Sequence, residues 1–151
     1  MSVLQARRTE SKAEYINTAN KLYVATINFL SRLSARYSRL LAETVSNLAA
    51  EVVNNCEKAN NIFPSDEVRK QLREKHLLEA RASLMALDLQ LYHVYNIMIT
   101  NPEGCFTTAS GNPLKPSEAS KRLEKMAQTV GELIDAENAM LTNLLKSDKK
   151  R

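Results

Sequence analysis

An all-α fold, an antiparallel up-down four-helix bundle, is the architecture this chain predicts, and three observations carry the prediction. The 151 residues hold only three glycines and four prolines, too few turn formers for a chain of many short strands. Apolar residues recur at steps of three and four through long stretches, the spacing that gathers them on one helix face. Three of the prolines and two of the glycines fall together in NPEGCFTTASGNPLKPS at 101–117, so one long loop interrupts otherwise continuous helix. The length suits a single domain over 1–151 with charged termini, burying roughly two-thirds of its unfolded surface.

The first helix is predicted over about 10–31, with Ile16, Ala19, Tyr23, Ile27 and Leu30 on its inner face. Leu41, Val45, Leu48, Val52, Cys56 and Ala59 mark a second. It ends near Ile62, because the residue before Pro64 is pushed out of helical geometry. Between these two, FLSRLSARYSRLL has neither glycine nor proline. A turn around 33–38, with Ser34 and Ser38 satisfying backbone groups, is the preferred reading, and one continuous helix over 10–62 is the alternative. Four amphipathic helices close a core, whereas three of very unequal length leave apolar surface exposed.

Ser65 or Asp66 can cap a third helix over about 66–100. Its seam is Leu77, Ala80, Leu84, Leu87, Leu91, Val94 and Met98. After the 101–117 loop, which has room for a short hairpin, Ser117 and Glu118 open a fourth helix. Leu123, Ala127, Val130, Ile134, Leu141 and Leu144 are its core candidates, with Glu137 interrupting them and KSDKKR fraying at the end.

The formal charge of +4 is unevenly spread. Residues 1–40 hold seven Lys and Arg against two Glu, and 41–151 hold fourteen basic against fifteen acidic residues. Arg7, Arg8, Lys12, Lys21, Arg32, Arg36 and Arg39 form the basic set, with Lys21 and Arg32 expected opposite the core face. Such a bias toward one sign points to a polyanionic partner, and the other reading is an ordinary solvated face. Arginine holds phosphate through two parallel hydrogen bonds. With little aromatic residue interleaved among these cations beyond Tyr15, Tyr23 and Tyr37, contact to the nucleic-acid backbone is expected over base reading.

Catalytic and metal motifs are missing. Glu-x-x-His pairs build di-iron sites in bundles, but Arg73 and Gln90 stand three residues before His76 and His93. No zinc-ligand spacing, GxxxxGK[ST] or GxGxxG occurs. Cys56 falls on a core stripe and Cys105 in the loop, and both are expected as free thiols. No metal, cofactor or enzymatic activity is expected. The polar start MSVLQARRTESK and the lack of an apolar run of ~20 residues predict a cytoplasmic protein without a membrane span.

RRTESKAEYINTA at 7–19, RYS at 36–38 and NLAAEVVNNCEKANNIFPSD at 47–66 resemble a bacterial four-helix-bundle family. It contains the accessory variability determinant of diversity-generating retroelements and the intervening-sequence proteins of large ribosomal RNA. The resemblance is best over the first 100 residues. It implies a homo-oligomeric ring, usually described as pentameric, whose basic surface engages RNA or DNA and, in retroelements, the reverse transcriptase. Arg7, Arg8, Lys12 and Arg36 match the family's basic positions. Many relatives have a proline in the turn where this chain has Leu33-Ser34-Ala35.

On this reading the protein is a non-catalytic nucleic-acid-binding accessory of a retroelement. A protein–protein scaffold without nucleic acid, or a DNA-binding mobilisation accessory of a mobile element, are the alternatives. Asn47, Asn54, Asn55, Asn60 and Asn61 are expected to flank the second helix's seam. There they either bond across a subunit interface or to a ribose-phosphate chain, or decorate a solvated flank.

Overall fold

The computed structural model describes Ser2, Leu4, Ser11 and residues 13–151. It is all-helical, with four long helices: α1 (Glu14–Leu30), α2 (Ala35–Asn60), α3 (Glu67–Thr100) and α4 (Pro116–Lys149). Each packs on its neighbour in sequence, and α1 also packs on α4, which closes the ring around one core. No helix of the described residues is long and apolar enough to cross a membrane.

α1 has no side-chain cap at Ala13. Asn17 instead ties the preceding chain to the helix: its Oδ1 accepts from the Ser11 N–H at 2.7 Å and its Nδ2 donates to the Ser11 carbonyl at 2.8 Å. The buried face is Ile16, Ala19, Leu22, Thr26 and Phe29, continued by Leu33 in the turn. Here the expected stripe is corrected, because Tyr23 and Ile27 lie at its edge, 37% and 38% exposed. Ile16, Ala19 and Leu30 are buried as expected, and Leu22 and Thr26 take the places expected of Tyr23 and Ile27. Thr26, fully buried yet polar, hides the true face from a reading based on hydrophobicity.

α1 breaks at 31–34 and α2 begins at Ala35, which excludes a continuous helix over 10–62. The break falls slightly earlier than expected. The Ser31 N–H bonds back to the Ile27 carbonyl, and its hydroxyl donates to the Asn28 carbonyl at 2.6 Å. Ser34 sits at the N-cap position of α2 without a side-chain bond to the first turn. Val45, Ala49, Val52, Cys56 and Ala59 form the buried side of α2, with Leu41 and Leu48 half-buried against it.

Asp66 caps α3, accepting from the Arg69 N–H at 2.9 Å. All seven expected seam residues of α3 are buried. Next comes a short 3₁₀ turn, Pro102–Cys105, and then a narrow hairpin in which Thr107 bridges Pro113. Gly111 turns the tip at φ +86°, where a residue with a Cβ is strained. Phe106 and Leu114 at the hairpin's base are buried, so the loop plugs one end of the core.

α4 starts at Pro116, whose missing N–H costs nothing in a first turn. It buries Leu123, Val130, Ile134, Leu141 and Leu145, with Ala127 and Leu144 half-buried. The expected fraying at the tail is corrected too. Arg73, 8% exposed, donates from Nε to Asp148 at 2.6 Å and from Nη1 to the Ala59 carbonyl at 2.9 Å and the Ile62 carbonyl at 3.3 Å. One guanidinium thus ties the end of α2 and the residues just after it to the last turn of α4.

Candidate nucleic-acid interface

Phe106 organises the basic end of the molecule. It is 6% exposed, and the guanidinium carbon of Arg32, in the turn after α1, stands 4.6 Å from its ring centre. Arg122, in the second turn of α4, stands 5.8 Å from the same ring. The ring face attracts cations, so one aromatic side chain draws two positive charges together. Among the described residues neither arginine is paired with a carboxylate, and the buried Arg32 Nε has no hydrogen-bond partner.

Around this pair the charge stays positive. Arg36 and Arg39 are exposed on the first turns of α2 and form no ion pair with described residues. Lys115, Lys121 and Lys125 lie exposed on and before α4, against Glu118 and Glu124. Two helices begin here, α2 and α4, and neither has a side-chain cap. Their first-turn N–H groups and the positive ends of their dipoles therefore add to the attraction for an anion.

The expected basic residues are distributed unevenly around this end. Arg32, Arg36 and Arg39 belong to it, although Arg32 lies partly buried against Phe106 where an outward-pointing side chain was expected. Lys21 is exposed on α1, three turns before Arg32. Arg7, Arg8 and Lys12 lie outside the described residues. Arg122 and its neighbouring lysines were not picked out by the sequence, because only folding brings α4 beside the α1–α2 turn. The clustering of Lys115, Lys121, Arg122 and Lys125 was the available signal.

The asparagines of α2 divide. Asn47 and Asn54 are exposed, the Asn60 Oδ1 accepts from the Tyr15 hydroxyl at 3.1 Å, and the Asn61 Nδ2 donates to the Glu57 backbone carbonyl at 2.9 Å. Asn55 is buried inside the chain. Its amide donates to the Glu51 carbonyl at 3.0 Å and its Oδ1 lies 3.3 Å from the His76 Nδ1 on α3.

Two further titratable groups are shifted by burial. Burial lifts the Tyr15 hydroxyl to about 12, with Arg73 working against it and Cys56, Asp148 and Glu57 adding to it. The Cys56 thiol is pushed far up, first by burial and then by the Glu137 and Glu57 carboxylates. No group of three or more His, Cys, Asp or Glu that could hold a metal ion occurs among the described residues. Comparison of the chain with protein-family models, curated proteins and solved structures finds no match.

Proposed function

We propose that this protein is a non-catalytic accessory that binds RNA or DNA through the end of the molecule built around Phe106. The helices are read as an antiparallel up-down bundle, which sets the starts of α2 and α4 at the same end of the molecule. The observation that carries the reading is the convergence of Arg32 and Arg122 on one ring with no carboxylate to neutralise them. Gathering like charges raises the energy of the free protein, and a phosphate chain lowers it again. Arg36, Arg39 and the uncapped first turns extend the same surface.

Contacts of this kind engage phosphates and leave base edges unread, so weak sequence preference goes with them. The resemblance of 7–66 to the accessory variability determinant family makes a reverse transcriptase the partner protein of this proposal and a homo-oligomer the working form. A non-enzymatic role fits the shallow relief. The hollow beside Pro64, Glu67 and Lys149 measures about 220 Å³, below the ~300–1,000 Å³ usual for small-molecule sites.

The test is the salt dependence of binding to labelled RNA and DNA by filter retention. Arg36→Gln, Arg39→Gln and Arg122→Gln combined remove three cations, which should flatten the slope of log K against log salt by about 2–3. An unchanged slope overturns the assignment of this surface. A second reading, a protein–protein scaffold, draws on the exposed Leu78, Met85, Leu89 and Tyr92 of α3. Unmodified protein that shifts neither RNA nor DNA at low salt moves the conclusion to it.

A further inference from the structure

α3 carries two apolar seams. The inner one, Leu77 to Met98, is buried in the protein's own core. The outer one is Leu78, Ala82, Met85, Leu89 and Tyr92, spaced by alternating steps of four and three. That average of 3.5 residues is what two helices need to stay in contact along their length. Leu78, Met85, Leu89 and Tyr92 are 48%, 40%, 55% and 61% exposed. Loss to water on this scale is unusual for a helix that already has a full inner face.

From this we infer that α3 pairs antiparallel with α3 of a second copy, about a two-fold axis passing between residues 83 and 84. The inference rests on the homo-oligomeric part of the proposed function and not on nucleic-acid binding. It replaces the head-to-tail contact of a ring with a self-complementary one.

The register follows from side-chain size and charge. With the axis at that point, Leu78 meets Leu89 of the partner subunit and Met85 meets the partner's Ala82, large against small. Tyr92 meets the partner's Lys75, a cation over an aromatic ring. Arg81 and Asp88 flank the seam, and in this register each Arg81 faces Asp88 of the partner subunit, twice by symmetry. Arg81 is held at the seam's edge by donating from Nε to Asn138 at 3.1 Å, and that bond leaves the rest of its fork free to reach a carboxylate.

Competing arrangements are penalised. Sliding the pair by one heptad in one direction sets Arg81 against the partner's Arg81, and in the other direction Asp88 against the partner's Asp88. A parallel pairing places Arg81 beside the partner's Ala86, with no carboxylate in reach. Opposite charges thus select the one register that also matches the apolar residues.

Sedimentation equilibrium of the full chain, freed of nucleic acid and in moderate salt, tests the pairing. The unmodified protein should give twice the chain mass of 17.0 kDa, or a higher even multiple. Arg81→Asp and Asp88→Arg, both at exposed positions, should each weaken association at least tenfold while circular dichroism shows the helices intact. Combining them restores the opposite charges in reverse, and association should return. An odd number of chains, single substitutions without effect, or a double variant as dissociated as the singles would each overturn the pairing. Because no nucleic acid is present, its failure is distinct from failure of the binding surface.

Discussion

Replacing Glu137 by Gln should remove a dependence of stability on pH. Glu137 is fully buried in the middle of α4's core face, and neither carboxyl oxygen has a hydrogen-bond partner among the described residues. Burial, with a further push from the Glu14 carboxylate, raises its pKa from 4.5 to about 8. Between those values the folded protein holds a proton that the unfolded chain releases, so stability falls as pH rises. The contribution is complete below 4.5 and gone once pH has passed about 8. At ~1.36 kcal/mol per pH unit, the whole window is worth about 5 kcal/mol.

Glu137→Gln keeps the shape and cannot titrate. Urea unfolding of both proteins from about pH 5 to about pH 7 should change their stability difference by ~3 kcal/mol in favour of the variant. Groups common to both proteins cancel in that difference. Parallel curves across this range would refute the reasoning. Glu137→Leu, which removes the unpaired carboxyl altogether, should also be more stable than the parent at neutral pH, by ~1–4 kcal/mol.

Two further outcomes are expected. Arg73→Ala should cost ~3–5 kcal/mol in urea unfolding, since it strands the largely buried Asp148 carboxylate. Arg73→Met with Asp148→Leu should recover most of that loss, and a double variant as unstable as the single one counts against the ion-pair account. A thiol reagent at mildly alkaline pH should modify Cys105 in the native protein and reach Cys56 only after unfolding. Cys105 is half-buried and Arg32 works against the rise that burial gives its thiol, whereas Cys56 is sealed in the core. Equal rates for both thiols would show that the core opens readily.

How much of this was legible in the sequence depended on where the deciding interaction lies. The inner seam of α3 reads directly, because no polar residue breaks its steps from Leu77 to Met98. In α1, Ile16, Ala19 and Leu30 were read correctly, but the middle of the stripe was misread, since Thr26 occupies a core position and Tyr23 and Ile27 lie just beside it. Glu137 stood out as an interruption of its stripe, but only the packed core shows that its carboxyl lacks a partner.

The tail looked like a fraying end because the contact that holds it, Arg73 with Asp148, spans 75 residues of sequence. The basic surface was half legible: Arg36 and Arg39 were named from the charge bias of the first 40 residues. The meeting of Arg32 with Arg122 depends on Phe106, a loop residue with no periodic signal.

The hairpin between α3 and α4 gives the molecule a natural attachment point. Its stems are pinned by Phe106 and Leu114, while the residues at 109–111 project into solvent. A fluorophore or short epitope grafted there would leave the helices undisturbed and sit above the cationic end, where its environment reports directly on whatever docks.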